Sequence, residues 1–101
     1  MGDDRIDELL EKLEKLDPET WDALEHALYW TEIEYEEYVI QGVIQDAIVA
    51  RGWGCYQYHY DRRAPKKEYA YIRGGAEGEG ETPVEALLAA YVAALEAEAD
   101  K

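Results

Sequence analysis

At 101 residues, with 24 acidic against 10 basic side chains, the chain carries a formal charge of −14 and has room for one domain with a modest core. A hydrophobic share of 48%, with nine tyrosines and three tryptophans, excludes a disordered acidic tail, which would be poor in aromatics. One cysteine excludes an intrachain disulfide framework, no apolar run approaches the ~20 residues of a membrane span, and no signal-peptide pattern opens the sequence, so the expected setting is cytoplasmic.

The charge is uneven along the chain. Residues 1–50 carry net −12, residues 51–73 net +4 and residues 74–101 net −6. The pattern predicts acidic helices around a locally basic hairpin.

In residues 1–16, Ile6, Leu9, Leu10, Leu13 and Leu16 repeat at helical spacing and predict an amphipathic helix. Its early aspartates and late lysines suit the helix dipole. Asp17-Pro18 is a helix start: Asp17 can cap free N–H groups, and Pro18 needs no N–H in the first turn. The next stretch, residues 18–51, reads as one long or broken helix. Trp21, Leu24, Leu28, Tyr35 and Tyr38 form one stripe, and Ile40, Val43, Ile44, Ala47 and Ile48 continue an apolar surface. The stripe changes face near Trp30–Tyr35, where a break is expected. Gly52 is the natural C-terminal stop.

Residues 53–73 alternate with period two and predict a β-hairpin. Tyr56, Tyr58 and Tyr60 share one face of its first strand, and Lys67, Tyr69, Tyr71 and Arg73 one face of its second. Residues 74–81 are rich in glycine and glutamate. Their carboxylates would repel phosphate and there is no P-loop lysine, so the stretch reads as a flexible connection. Thr82-Pro83-Val84-Glu85 has the form of a capping box and opens a C-terminal helix over 82–99. Val84, Leu87, Leu88, Tyr91, Val92 and Leu95 form its buried stripe, and its alanines allow close approach of a neighbour.

The expected fold is therefore α+β, in the order helix-helix-strand-strand-helix, with a two-stranded antiparallel hairpin sandwiched by helices. A lone hairpin is marginal and leaves two open edges, so pairing with a second copy is expected to extend the sheet in a homodimer.

From about Gln45 to Leu95, roughly half the chain, the sequence resembles the phage ABA-sandwich domains. The resemblance rests on a helix ending in Arg51-Gly52-Trp53, on an aromatic hairpin with Tyr69-Ala70-Tyr71, and on Thr82-Pro83 opening an alanine-rich helix with Glu85-Ala86-Leu87-Leu88-Ala89-Ala90. It implies a phage origin and a helix–sheet–helix fold, and it carries over no catalytic residues.

Catalysis finds little support in the residues. His26 and His59 are the only near-neutral bases, and Cys55 and His59 lie about 13 Å apart along a strand, too far for direct contact. Zinc has no second cysteine or histidine pair to hold it, and the Asp-x-Asp-x-Asp-Gly loop of calcium-binding hands is missing. No catalytic residue, metal or cofactor is expected.

Two surfaces are candidates for binding. In the first, Glu32, Glu34, Glu36 and Glu37 interleave with Tyr29, Trp30, Tyr35 and Tyr38; the patch is a solvated helix face, a site for a basic partner or, least favoured, carboxylates spaced to meet a divalent ion. An acidic folded protein of this kind fits an inhibitor of a host nucleic-acid-binding protein or defence complex, of the anti-CRISPR or DNA-mimic type. The second is the hairpin, where Arg62, Arg63, Lys66 and Lys67 with Tyr58 and Tyr60 could hold a nucleotide or short single strand. The flanking negative charge opposes binding of duplex DNA. A non-catalytic dimerisation or assembly module is the third possibility.

Overall fold

The computed structural model describes residues 2–60, 67–72 and 76–100. Four helices and one antiparallel sheet make up the α+β fold: α1 (Gly2–Leu16), α2 (Pro18–Tyr29), a 3-10 turn (Ile33–Tyr35), α3 (Glu36–Ala50), β1 (Cys55–Tyr60), β2 (Lys67–Ile72), β3 (Ala76–Gly80) and α4 (Pro83–Ala99).

The layout is governed by α4 rather than by the hairpin. Its residues Val84–Val92, Ala94 and Leu95 are all buried, far more than one stripe. A helix apolar on every side needs neighbours on every side. One neighbour is the sheet, through β2 and β3; the others are α1 and α3, with α2 packed on both of those. The result is three layers with α4 in the middle.

The sheet differs from expectation in having three strands, in the order β1-β2-β3, instead of two. Residues 76–80, read above as a flexible connection, pair with β2 so that Ala76, Gly78 and Gly80 face Ile72, Ala70 and Glu68. Gly78 explains the composition. A Cβ there would collide with the backbone of Ala86 and Ala90 in α4, so the helix lies directly on the strand and only glycine fits between. The alanines of α4 permit the same approach from the other side.

Alternation sorts the strands into two faces. Cys55, Gln57, Ala70, Ile72, Ala76, Gly78 and Gly80 are on the helix side, where Ala70, Ile72 and Gly80 are buried. The opposite face carries Tyr56, Tyr69, Tyr71, Lys67, Glu77 and Glu79. Tyr56 and Tyr71 pair across the strands with ring centroids 5.3 Å apart, and Lys67 Nζ lies 3.7 Å from Glu79 Oε1.

The helix boundaries follow local chemistry. Asp17 Oδ1 accepts from the Thr20 N–H at 3.3 Å, which caps α2. At the other end of α2 the Thr31 hydroxyl donates to the Ala27 carbonyl at 2.7 Å, and Glu32 is extended. The chain therefore breaks between residues 30 and 35, which resolves the long-or-broken alternative in favour of two helices. Gly52 closes α3 at φ +76°, with Gly52 N–H donating to Val49 O and Trp53 N–H to Ile48 O, the paired bonds of a Schellman motif. The Thr82 hydroxyl caps α4 by accepting from Glu85 N–H at 3.3 Å, and Glu85 Oε2 accepts from Glu81 N–H at 3.2 Å, one residue earlier than in the standard box. Glu85 is buried beside Gly80 and lies 3.6 Å from Arg5 Nε, an ion pair tying α1 to the start of α4.

Candidate protein-docking surface

α2 and α3 are packed side by side, and their far ends are fixed by one polar cluster. The Tyr91 hydroxyl, in the middle of α4, donates to Asp17 Oδ2 at 2.5 Å, and Arg51 Nε donates to the Tyr91 oxygen at 3.0 Å. The Thr20 hydroxyl donates to the same Asp17 oxygen at 2.6 Å, and the Arg51 guanidinium stands 3.4 Å from it. The guanidinium carbon also sits 5.2 Å above the Trp53 ring. Burial alone would push the Asp17 carboxyl up, but the bonds from Thr20 and Tyr91 and the Arg51 charge outweigh it and hold Asp17 below the ordinary aspartate range. Burial and the bond to Asp17 push the Tyr91 phenol up.

The Asp17 carboxylate and the Tyr91 hydroxyl are bonded within this cluster. Among the described residues, no buried side-chain nitrogen or oxygen lacks a hydrogen-bond partner. A carboxylate held ionised and a phenol held neutral by each other offer no proton near neutral pH. The cluster fixes the start of α2 and the end of α3 to α4. From sequence Asp17 reads as a cap, Tyr91 as core and Arg51 as part of the hairpin's positive charge; nothing in the sequence pairs residues so distant.

With those ends fixed, the joint between α2 and α3 lies at the opposite end of the helix pair, about 20 Å away at 1.5 Å per residue. There the surface changes character. Tyr29 is 79% exposed, Trp30 75%, Ile33 85% and Tyr38 76%, with Tyr35 also exposed. Tyr29 and Trp30 meet edge to face at 4.9 Å between ring centroids. Glu32, Glu34 and Glu37 are exposed among them and Glu36 is half-buried. The residues singled out from sequence, Glu32, Glu34, Glu36 and Glu37 with Tyr29, Trp30, Tyr35 and Tyr38, thus share one corner, and the structure adds Ile33. Ile33 is not marked in the sequence, because an isolated isoleucine fits a buried helical stripe as well as a surface.

The second candidate surface is only partly within the described residues. Arg62, Arg63 and Lys66 lie outside them. Tyr58 and Tyr60 are placed by backbone register in β1, opposite Tyr69 and Lys67. Lys67 is exposed beside Glu79, and Tyr71 and Tyr69 stand opposite Glu77 and Glu79 in the sheet register.

Among the described residues, no group of three or more His, Cys, Asp or Glu side chains is placed to hold a metal ion, and no helix is long and apolar enough to cross a membrane. No family model, curated protein or solved structure matches the chain.

Proposed function

We propose that the protein acts by binding, with the α2–α3 corner docking on a basic surface of a nucleic-acid-binding protein. The observation that carries this is the exposure of Tyr29, Trp30, Ile33, Tyr35 and Tyr38 within one run of glutamates. Scattered exposed apolar residues need no explanation, but a cluster of this size rimmed by charge marks an interaction surface. Tyrosine and tryptophan are the residue types that anchor protein interfaces, where their rings fill pockets and their polar tips stay hydrogen-bonded.

The charge states the kind of partner. No lysine or arginine occurs between residues 29 and 50, against four glutamates and one aspartate. Such a field speeds the approach of a basic surface and makes the complex salt-sensitive. Surfaces built to hold nucleic acid have that basic character. The resemblance to phage ABA-sandwich domains implies at most a phage origin, with which an inhibitor of a host complex in the bacterial cytoplasm is compatible. A nucleotide on the tyrosine face of the sheet is less favoured, because Glu77 and Glu79 stand opposite the tyrosines of β2.

The test is capture from nuclease-treated bacterial lysate on the tagged protein, at about 100 mM and about 500 mM salt, which bracket strong and weak screening. One nucleic-acid-binding protein retained at low salt and lost at high salt is the expected result. No enriched protein at either salt would refute the proposal.

A further inference from the structure

We infer that the partner element received by this surface is a basic amphipathic α-helix, laid across α3 at Gly42. The inference rests on the docking corner proposed above and adds what docks there. Three glycines in the structure contrast. Gly78 is required by the backbone of α4, and Gly52 by its φ of +76°. Gly42 is in the middle of α3, and a Cβ placed on it would meet nothing within 4 Å. Glycine weakens a helix interior relative to alanine, and nothing among the described residues requires it at that position.

Its surroundings say what the space suits. Ile40, Ile44 and Ile48 turn to the core, so Gly42 is on the outward side with Tyr38, Asp46 and Val49 at helical spacings of four, four and seven. Tyr38, Asp46 and Val49 are exposed. Tyr38 and Asp46 stand about 12 Å apart along the axis, and the missing side chain at Gly42 leaves a notch between them. A helix is about 10–12 Å across with its side chains, so one fits the notch with its backbone close to that of α3. Tyr38 would meet its apolar stripe.

Charge decides between occupants. A second copy of α3 would set Asp46 and the corner glutamates against their own equivalents, which repel. A helix with lysine or arginine flanking its apolar stripe meets Asp46 on one side and the glutamates of the joint on the other.

The probe is a synthetic leucine/lysine amphipathic peptide of about 18 residues, long enough to fold as a helix on a surface. A scrambled peptide of the same composition is the control. Affinities are measured by fluorescence anisotropy and the contact site by amide chemical shifts, for wild type, Gly42→Leu and the quadruple variant Glu32→Lys, Glu34→Lys, Glu36→Lys, Glu37→Lys. Gly42→Leu faces open space and is expected to keep or raise the melting temperature. The inference predicts shifts centred on α3, preference for the amphipathic peptide, and at least ~10-fold weaker binding to Gly42→Leu. If Gly42→Leu binds as wild type while the quadruple variant does not, the helix is refuted and the docking corner stands. Equal binding of the scrambled peptide, or shifts centred on α1, also refutes the helix. If neither variant loses affinity, both the helix and the corner fail.

Discussion

Asp17 has three roles that its place in the sequence reveals only in part. It caps α2, pairs with Arg51 and accepts the Tyr91 hydroxyl. Replacing Tyr91 by phenylalanine keeps the packing but removes one bond to a buried carboxylate, and should cost about 2 kcal/mol in chemical denaturation. The pH dependence has a definite sign. Asp17 is held below its ordinary value in the folded state, so its contribution is complete above about pH 4 and is lost as pH falls through the folded pKa. Tyr91 is held above its ordinary value, so its contribution is present below about pH 10 and is lost as pH rises through the folded pKa. Stability profiles of Asp17→Asn and Tyr91→Phe should lack the acid and alkaline components respectively. A profile for either variant parallel to wild type would contradict this account of the cluster.

Among the elements, α4 and β3 depend on each other. Gly78→Ala forces a Cβ against the α4 backbone and should destabilise by about 3 kcal/mol. Gly52→Ala, which only meets the left-handed backbone, should cost about 1 kcal/mol. Gly42→Ala should instead raise stability by up to about 1 kcal/mol, since the added methyl enters open space in a helix. Thermal and urea unfolding of the three variants would rank them. The helices were legible because their signals are local: stripes at helical spacing, Asp17-Pro18, Thr82-Pro83 and Gly52. β3 was not legible, although it does alternate. Its inward positions are Ala76, Gly78 and Gly80, so the member of the pattern that is normally apolar is small or missing, and the reason is a helix packed there from later in the chain. The break between α2 and α3 was visible as a shift of the stripe; in the structure the Thr31 N–H turns to the Leu28 carbonyl there, and its hydroxyl takes the Ala27 carbonyl.

For the whole molecule, the same asymmetry that appears in the sequence as segment charges becomes a geometry. The Asp17–Arg51–Tyr91 cluster holds one end of the α2–α3 pair against α4, and the opposite end presents aromatic rings among carboxylates. The carboxylates and the four aromatic residues Tyr29, Trp30, Tyr35 and Tyr38 could be picked out from sequence alone. Ile33 could not, because exposure is a property of the packed molecule. The most direct test is capture from one nuclease-treated lysate with three baits: wild type, the corner variant with Glu32, Glu34, Glu36 and Glu37 changed to lysine, and a hairpin variant with Arg62, Arg63, Lys66 and Lys67 changed to glutamate. The account predicts that at about 100 mM salt wild type and the hairpin variant retain the same basic protein and the corner variant loses it. Retention by the corner variant with loss by the hairpin variant would place binding on the sheet and contradict the account.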